Sequence, residues 1–157
     1  MKLTKPDVLI HDSILQLASD LDAISTIVEW FEQFNHTPVT HQLWLEAQTA
    51  VIEGFTNAVR HAHCYLNPET PVDINVQISE ELFHVCIWDQ GDIFDFELAL
   101  ENFHREVSDR AFNPLVHESH WGCIFLLKLR KEYGWTISYT RESGDRNCLS
   151  LKKPLIN

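Results

Sequence analysis

The chain has 157 residues, 45% apolar and 22% charged, with 5 Gly and 6 Pro; this fits one globular domain spanning 1–157 and excludes fibrous and disordered classes. With 12 basic and 23 acidic side chains the formal charge is -11, a field that repels phosphate backbones and anionic lipid and so argues against direct nucleic-acid or membrane partners. Cys64, Cys86, Cys123 and Cys148 form no CxxC pair, and no apolar run approaches the ~18 residues of a membrane span, so reduced thiols and a cytoplasmic location are expected.

In chain order, Ser13 to Ala18 reads as a short first strand. Ser19 and Asp20 offer N-cap chemistry to a helix in which Leu21, Ile24, Val28, Phe31 and Phe34 recur at helical spacing, ending near Asn35. A second helix runs from about His41 to His63 and is closed by Asn67-Pro68. VDINVQIS alternates as a half-buried strand, Glu80-Glu81 turns, and LFHVCIWD returns to Asp89 as the other half of an antiparallel hairpin. A polar stretch from Gln90 to His120 follows, with one plausible helix around Phe96 to His104 and a length that suits a functional loop. Cys123 to Tyr133 reads as helix with Gly134 as its stop, and WTISYT and CLSLKK form a last hairpin around Gly144. Strands in hairpin pairs separated by helices predict an α+β, two-layer sandwich, with three main helices on one face of a mostly antiparallel sheet.

On the second helix Glu53, Asn57 and His61 recur every fourth residue and share one side, with Glu46 extending the stripe. The pattern fits a solvated face, or a site where a carboxylate accepts a proton and a carboxamide oxygen binds a hard cation. Asp89-Gln90-Gly91 follows the strand ending at Trp88, where a carboxylate can accept from an exocyclic amine and a glycine permits close approach. Gly122, in Trp121-Gly122-Cys123 at a helix start, leaves backbone N–H groups open toward phosphate. His61 and His63 point to different faces of a helix, so a metal site with Cys64 is disfavoured. Trp121 is assigned to core packing, and Arg60 can pair either with a phosphate or with Glu53.

The order of these pieces carries more information than any one of them. A helix bearing E-x-x-x-N-A, a strand ending in D-x-G, a loop, a glycine-led helix and a final hairpin resemble the GHKL (histidine kinase-like, Bergerat-fold) ATPase superfamily. Within it, EGFTNAVRHAH at 53–63 and the Asp89 to Asp95 run are similar to the boxes of the anti-sigma factor serine/threonine-protein kinases.

That resemblance implies a Mg²⁺-dependent ATP/ADP-binding serine-protein kinase. Glu53 would be the general base toward a partner's serine hydroxyl and Asn57 the Mg²⁺ ligand. Asp89 would accept from the adenine amine, Gly91 would admit the base, and Gly122 would lie beside the phosphates. The partners implied are an anti-anti-sigma (STAS-type) protein, which is phosphorylated, and a sigma factor, which is sequestered, with a homodimer possible. His117, Glu118 and His120 fall where the family has its nucleotide lid. The pattern departs at Ile93 and His120, which stand in glycine positions, and at Arg146-Asn147-Cys148, which replaces a GTT-like stretch. These departures predict weakened nucleotide binding and define an alternative, a protein-binding switch of the same fold without kinase activity.

Overall fold

The structure, a computed structural model, describes residues 7–108 and 121–155. Strands β1 (Leu9–Ala18), β2 (Pro71–Ser79), β3 (Leu82–Asp89), β4 (Thr136–Glu142) and β5 (Arg146–Pro154) form one sheet in the order β1-β2-β3-β5-β4. All neighbouring pairs are antiparallel. Among the described residues there are four α-helices, α1 (Ile24–Phe31), α2 (His41–Asn57), α3 (Phe96–Ser108) and α4 (Trp121–Glu132). The expected α+β sandwich is therefore the observed architecture, with one helix more than the three main ones anticipated. The extra helix is α3, which is longer than the stretch suggested by the sequence; Asp95 starts it by accepting the Leu98 N–H at 3.0 Å.

The pleat sorts the sheet into two faces. Val72, Ile74, Val76 and Ile78 of β2, Phe83, Val85 and Ile87 of β3, and Leu149 and Leu151 of β5 are buried and meet Phe31, Phe55, Leu126 and Leu129 of the helices in one core. The other face carries Asp73, Gln77, His84, Cys86 and Ser150, the alternate set. β1 starts at Leu9, earlier than the alternation indicated, because Leu9 and Ile10 are exposed on this edge strand and a register shift separates Leu9 from His11.

Helix α2 lies directly on the sheet. It begins at Thr40, whose Oγ1 accepts the Leu43 N–H at 3.2 Å. A Cβ on Gly54 would stand 2.6 Å from Ile87 Cδ1 and 3.0 Å from Leu149 Cδ2, so the missing side chain sets how closely helix and sheet approach. The helix was expected to continue to His63. Its α-form ends at Asn57 and Ala58–Ala62 continue as a π-helical turn, in which the His63 N–H reaches back to Ala58 O at 2.9 Å. Gly134 (φ 70°) and Gly144 (φ 87°) occupy the left-handed region at the helix stop and hairpin turn assigned to them. Among the described residues no helix is long and apolar enough to cross a membrane.

Candidate functional site

The end of β3, the end of α2 and the segment before α3 enclose a cavity of about 490 Å³. Asn57, Ala58 and His61 contribute from α2 and its π-helical turn, Asp89 from β3, Ile93 and Phe94 from the following loop, and Ile87, Leu126, Phe96 and Leu149 supply apolar walls. This is the size and character of a small-molecule site, apolar surface with a few placed polar groups.

Asp89 is the polar centre, only 5% exposed, and three donors hold its carboxylate. Oδ1 accepts from the Gly91 N–H at 2.9 Å and from Asn147 Nδ2 at 2.9 Å, while Oδ2 accepts from the Tyr139 hydroxyl at 2.6 Å. A buried carboxylate needs such partners to remain charged. Burial pushes the Tyr139 phenol far above its ordinary range, and the hydrogen bond to Asp89 adds to the shift. Asn147 also donates to Asp92 O at 3.1 Å, and Arg141 Nη1 donates to Gly91 O at 2.8 Å, so the last hairpin clamps the loop that follows Asp89.

His63 fixes the same loop from the other side. Its Nε2 accepts the Gln90 N–H at 2.7 Å, which leaves the proton of a neutral ring on Nδ1, 2.6 Å from Ser19 Oγ; that hydroxyl donates to Thr70 O at 2.6 Å. Burial lowers the His63 pKa, and the Asp89 charge opposes it in part. A Cβ on Gly91 would lie 2.8 Å from Ala62 Cβ and from Ala62 O, so this glycine lets the loop pack on the end of the π-helical turn.

Of the residues singled out in the sequence, Asn57, His61 and Asp89 therefore line one cavity, while Glu53 and Gly91 are not among its lining residues. Glu53 stands one helical turn back from Asn57, half-buried; burial raises its pKa and the neighbouring Arg60 charge lowers it. Glu46 does not join the site: Oε2 accepts from Trp135 Nε1 at 2.8 Å and Oε1 from Gln42 at 3.2 Å, a structural use of the far end of the stripe. Ile93 is 78% exposed at the rim and its backbone φ is not positive, so a β-branched residue sits there without strain. Gly122 is the second residue of α4; its surroundings, the Trp121 side chain and His117, Glu118 and His120 lie outside the described residues. Sequence reasoning missed Tyr139, Asn147 and His63 as partners of this site. The one available signal was Asn147, flagged only as a departure from a pattern.

The donor set can be tested against a magnesium nucleotide. Asp89 retains acceptor capacity on Oδ2 beside Tyr139, suited to an exocyclic amine, and the apolar walls suit the faces of a purine. The Asn57 carboxamide oxygen is a suitable hard ligand for Mg²⁺. The residues present fit the group.

Comparison with known proteins first gives the class. A family model of the histidine kinase-like ATPase domain matches residues 17–153. Serine-protein kinase RsbW of Staphylococcus aureus, in strains bovine RF122 / ET3-1 and MRSA252, is 30% identical over 114 residues, covering 69% of this chain and 71% of the relative. A chain of the solved SiaB-SiaC complex from Pseudomonas aeruginosa matches with TM-score 0.52 at 9% identity, over 93% of this chain and 90% of that one, a likeness of fold alone. The chain belongs to the anti-sigma factor serine-protein kinase family within the GHKL, histidine kinase-like ATPases.

Proposed function

We propose that this protein binds Mg-ATP in the Asp89 cavity, transfers the γ-phosphoryl group to a serine of a STAS-type anti-anti-sigma protein, and sequesters a sigma factor when that partner is phosphorylated. The observation that carries the reading is the Asp89 carboxylate, buried at the cavity, oriented by three donors and facing a space that Asn57 also lines. The name of the S. aureus relatives, serine-protein kinase, supports phosphoryl transfer as the chemistry.

Roles follow from residue chemistry. Asp89 accepts from the adenine amine, Gly91 serves by packing on Ala62 so that its N–H reaches and orients Asp89, and Gly122 provides close backbone approach on the phosphate side. Asn57 holds Mg²⁺, which when bound neutralises phosphate charge. Glu53, its pKa raised by burial, is a better proton acceptor than an exposed glutamate and takes the serine proton.

Titration calorimetry of the full chain with Mg-ATP, followed by incubation with labelled ATP and a STAS-type partner, tests the proposal. Binding lost in Asp89→Ala, and phosphoserine on the partner lost in Glu53→Gln, are expected. Absence of nucleotide binding in the unsubstituted chain overturns it. Ile93 on the cavity wall, in a glycine position of the family pattern, favours a second reading, a switch that acts by association without kinase activity. Nucleotide binding without any phosphoserine on the partner selects that reading.

A further inference from the structure

Two histidines join the edge of the sheet to the segment that leads from α1 into α2. His11 stands on β1, half-buried, with its ring centroid 4.9 Å from that of the fully buried Phe34. His36 is exposed in the segment before α2. His11 Nδ1 and His36 Nε2 are 3.3 Å apart. The ring planes differ by 19° and the centroids are 5.6 Å apart, so the rings meet edge to edge through these nitrogens and not face to face.

Each outer ring nitrogen faces an oxygen that can only accept. His36 Nδ1 lies 2.8 Å from the Thr37 carbonyl oxygen, and His11 Nε2 lies 3.1 Å from Gln33 Oε1. The orientation of that amide is set independently, because Gln33 Nε2 donates to Trp30 O at 2.8 Å. In the neutral pair both outer nitrogens therefore carry the ring protons, and the two facing nitrogens present lone pairs to each other. Opposed lone pairs repel until a cation lies between them. Histidine ligands of metals share this layout, one ring nitrogen binding the ion while the other donates to a carbonyl or carboxylate oxygen.

We propose that His11 and His36 bind a divalent transition-metal ion of the zinc class through Nδ1 and Nε2. Two nitrogens each about 2.0–2.1 Å from one tetrahedral zinc are separated by about 3.3 Å, which matches the spacing of this pair. A pivot of the exposed His36 side chain turns both lone pairs onto the ion, while Phe34 and Gln33 hold the His11 ring in place. Among the described residues no third His, Cys, Asp or Glu completes a cluster, so water fills the remaining positions. Imidazole ligands select zinc, copper or nickel over magnesium, and the formal charge of -11 favours any cation. Neither histidine lines the nucleotide cavity, so the ion staples β1 to the segment before α2 independently of phosphoryl transfer.

The test is titration of the nucleotide-free full chain with zinc chloride, followed by calorimetry and by NMR of the histidine ring nitrogens. Expected is saturable binding in which the His11 Nδ1 and His36 Nε2 resonances shift while the outer nitrogens stay protonated. His11→Ala and His36→Ala should each abolish it, and Gln33→Leu, which removes the acceptor that orients His11, should weaken it about tenfold. Three results overturn the proposal: no zinc binding, binding unchanged in His36→Ala, or a neutral metal-free tautomer that carries its proton on His11 Nδ1 or His36 Nε2. The ring-nitrogen spectra of the unsubstituted chain need no variant, so a substitution that fails to fold does not protect the proposal.

Discussion

The hydroxyl of Tyr139 donates to Oδ2 of Asp89 at 2.6 Å, joining β4 to the end of β3 across the intervening strand β5. Tyr139→Phe removes this donor and leaves a buried carboxylate with two of its three protein partners. A loss of about 1–3 kcal/mol is expected in urea denaturation at neutral pH. Because the folded phenol has a raised pKa, the fold favours the protonated form, and its contribution is fully present below the unfolded tyrosine value of about 10. Stability should therefore fall as pH rises above that value, and Tyr139→Phe should flatten the decline. An identical alkaline slope in both proteins would contradict this account.

His63 predicts a slope at the opposite end of the scale. Its pKa is depressed in the fold by burial, so below the unfolded value of about 6.5 the unfolded chain binds the proton more readily. Stability should drop on acidification from about pH 6.5 downward, as the protonated ring loses the Gln90 N–H bond at Nε2. His63→Ala should cost about 1–3 kcal/mol at pH 7 and lessen the acid dependence; denaturation curves collected between pH 5 and pH 8 read both.

Two glycines with similar close contacts should tolerate alanine differently. In Gly54→Ala the new methyl meets the ends of the Ile87 and Leu149 side chains, which can rotate away. In Gly91→Ala it meets the Cα and carbonyl oxygen of Ala62 at 2.9 and 2.8 Å, backbone that moves only with the π-helical turn. Gly91→Ala is expected to be the more destabilising, by about 1–3 kcal/mol, and to weaken nucleotide binding as well. Equal melting temperatures for the two variants would count against the contact.

Under the proposed kinase mechanism, Glu53→Gln should lower phosphoryl transfer by about 10²–10⁴-fold while changing nucleotide affinity little. The acid limb of the rate profile should lie above the ordinary glutamate range, since burial raises the Glu53 pKa, and Arg60→Ala should move it further up by removing the opposing charge. Single-turnover rates across pH, with affinity measured separately, distinguish loss of a base from loss of the site.

What could be read from the sequence follows from where the determining contacts lie. The α2 stripe and the carboxylate ending β3 were legible because they depend on local periodicity, 3.6 in the helix and 2 in the strand, and Asn57 and His61 of the stripe meet Asp89 at the cavity. The partner of Glu46 was not legible, because periodicity fixes a direction around the helix and says nothing of a tryptophan arriving from residue 135. Tyr139 and Asn147 were missed for a related reason. Their convergence on Asp89 depends on strand order and on the register that sets Asn147 opposite Asp89, quantities that no single segment encodes. The π-helical turn escaped notice because Ala58–Ala62 read as ordinary helix formers.

The clamp on Asp89 also bears on the thermodynamics of recognition. With its two oxygens already engaged by the Gly91 amide, Asn147 and Tyr139, the carboxylate has surrendered its rotational freedom during folding. An incoming guest thus meets an acceptor already aimed, and its association avoids the roughly 0.5–1.5 kcal/mol of side-chain ordering that a loosely held aspartate would demand.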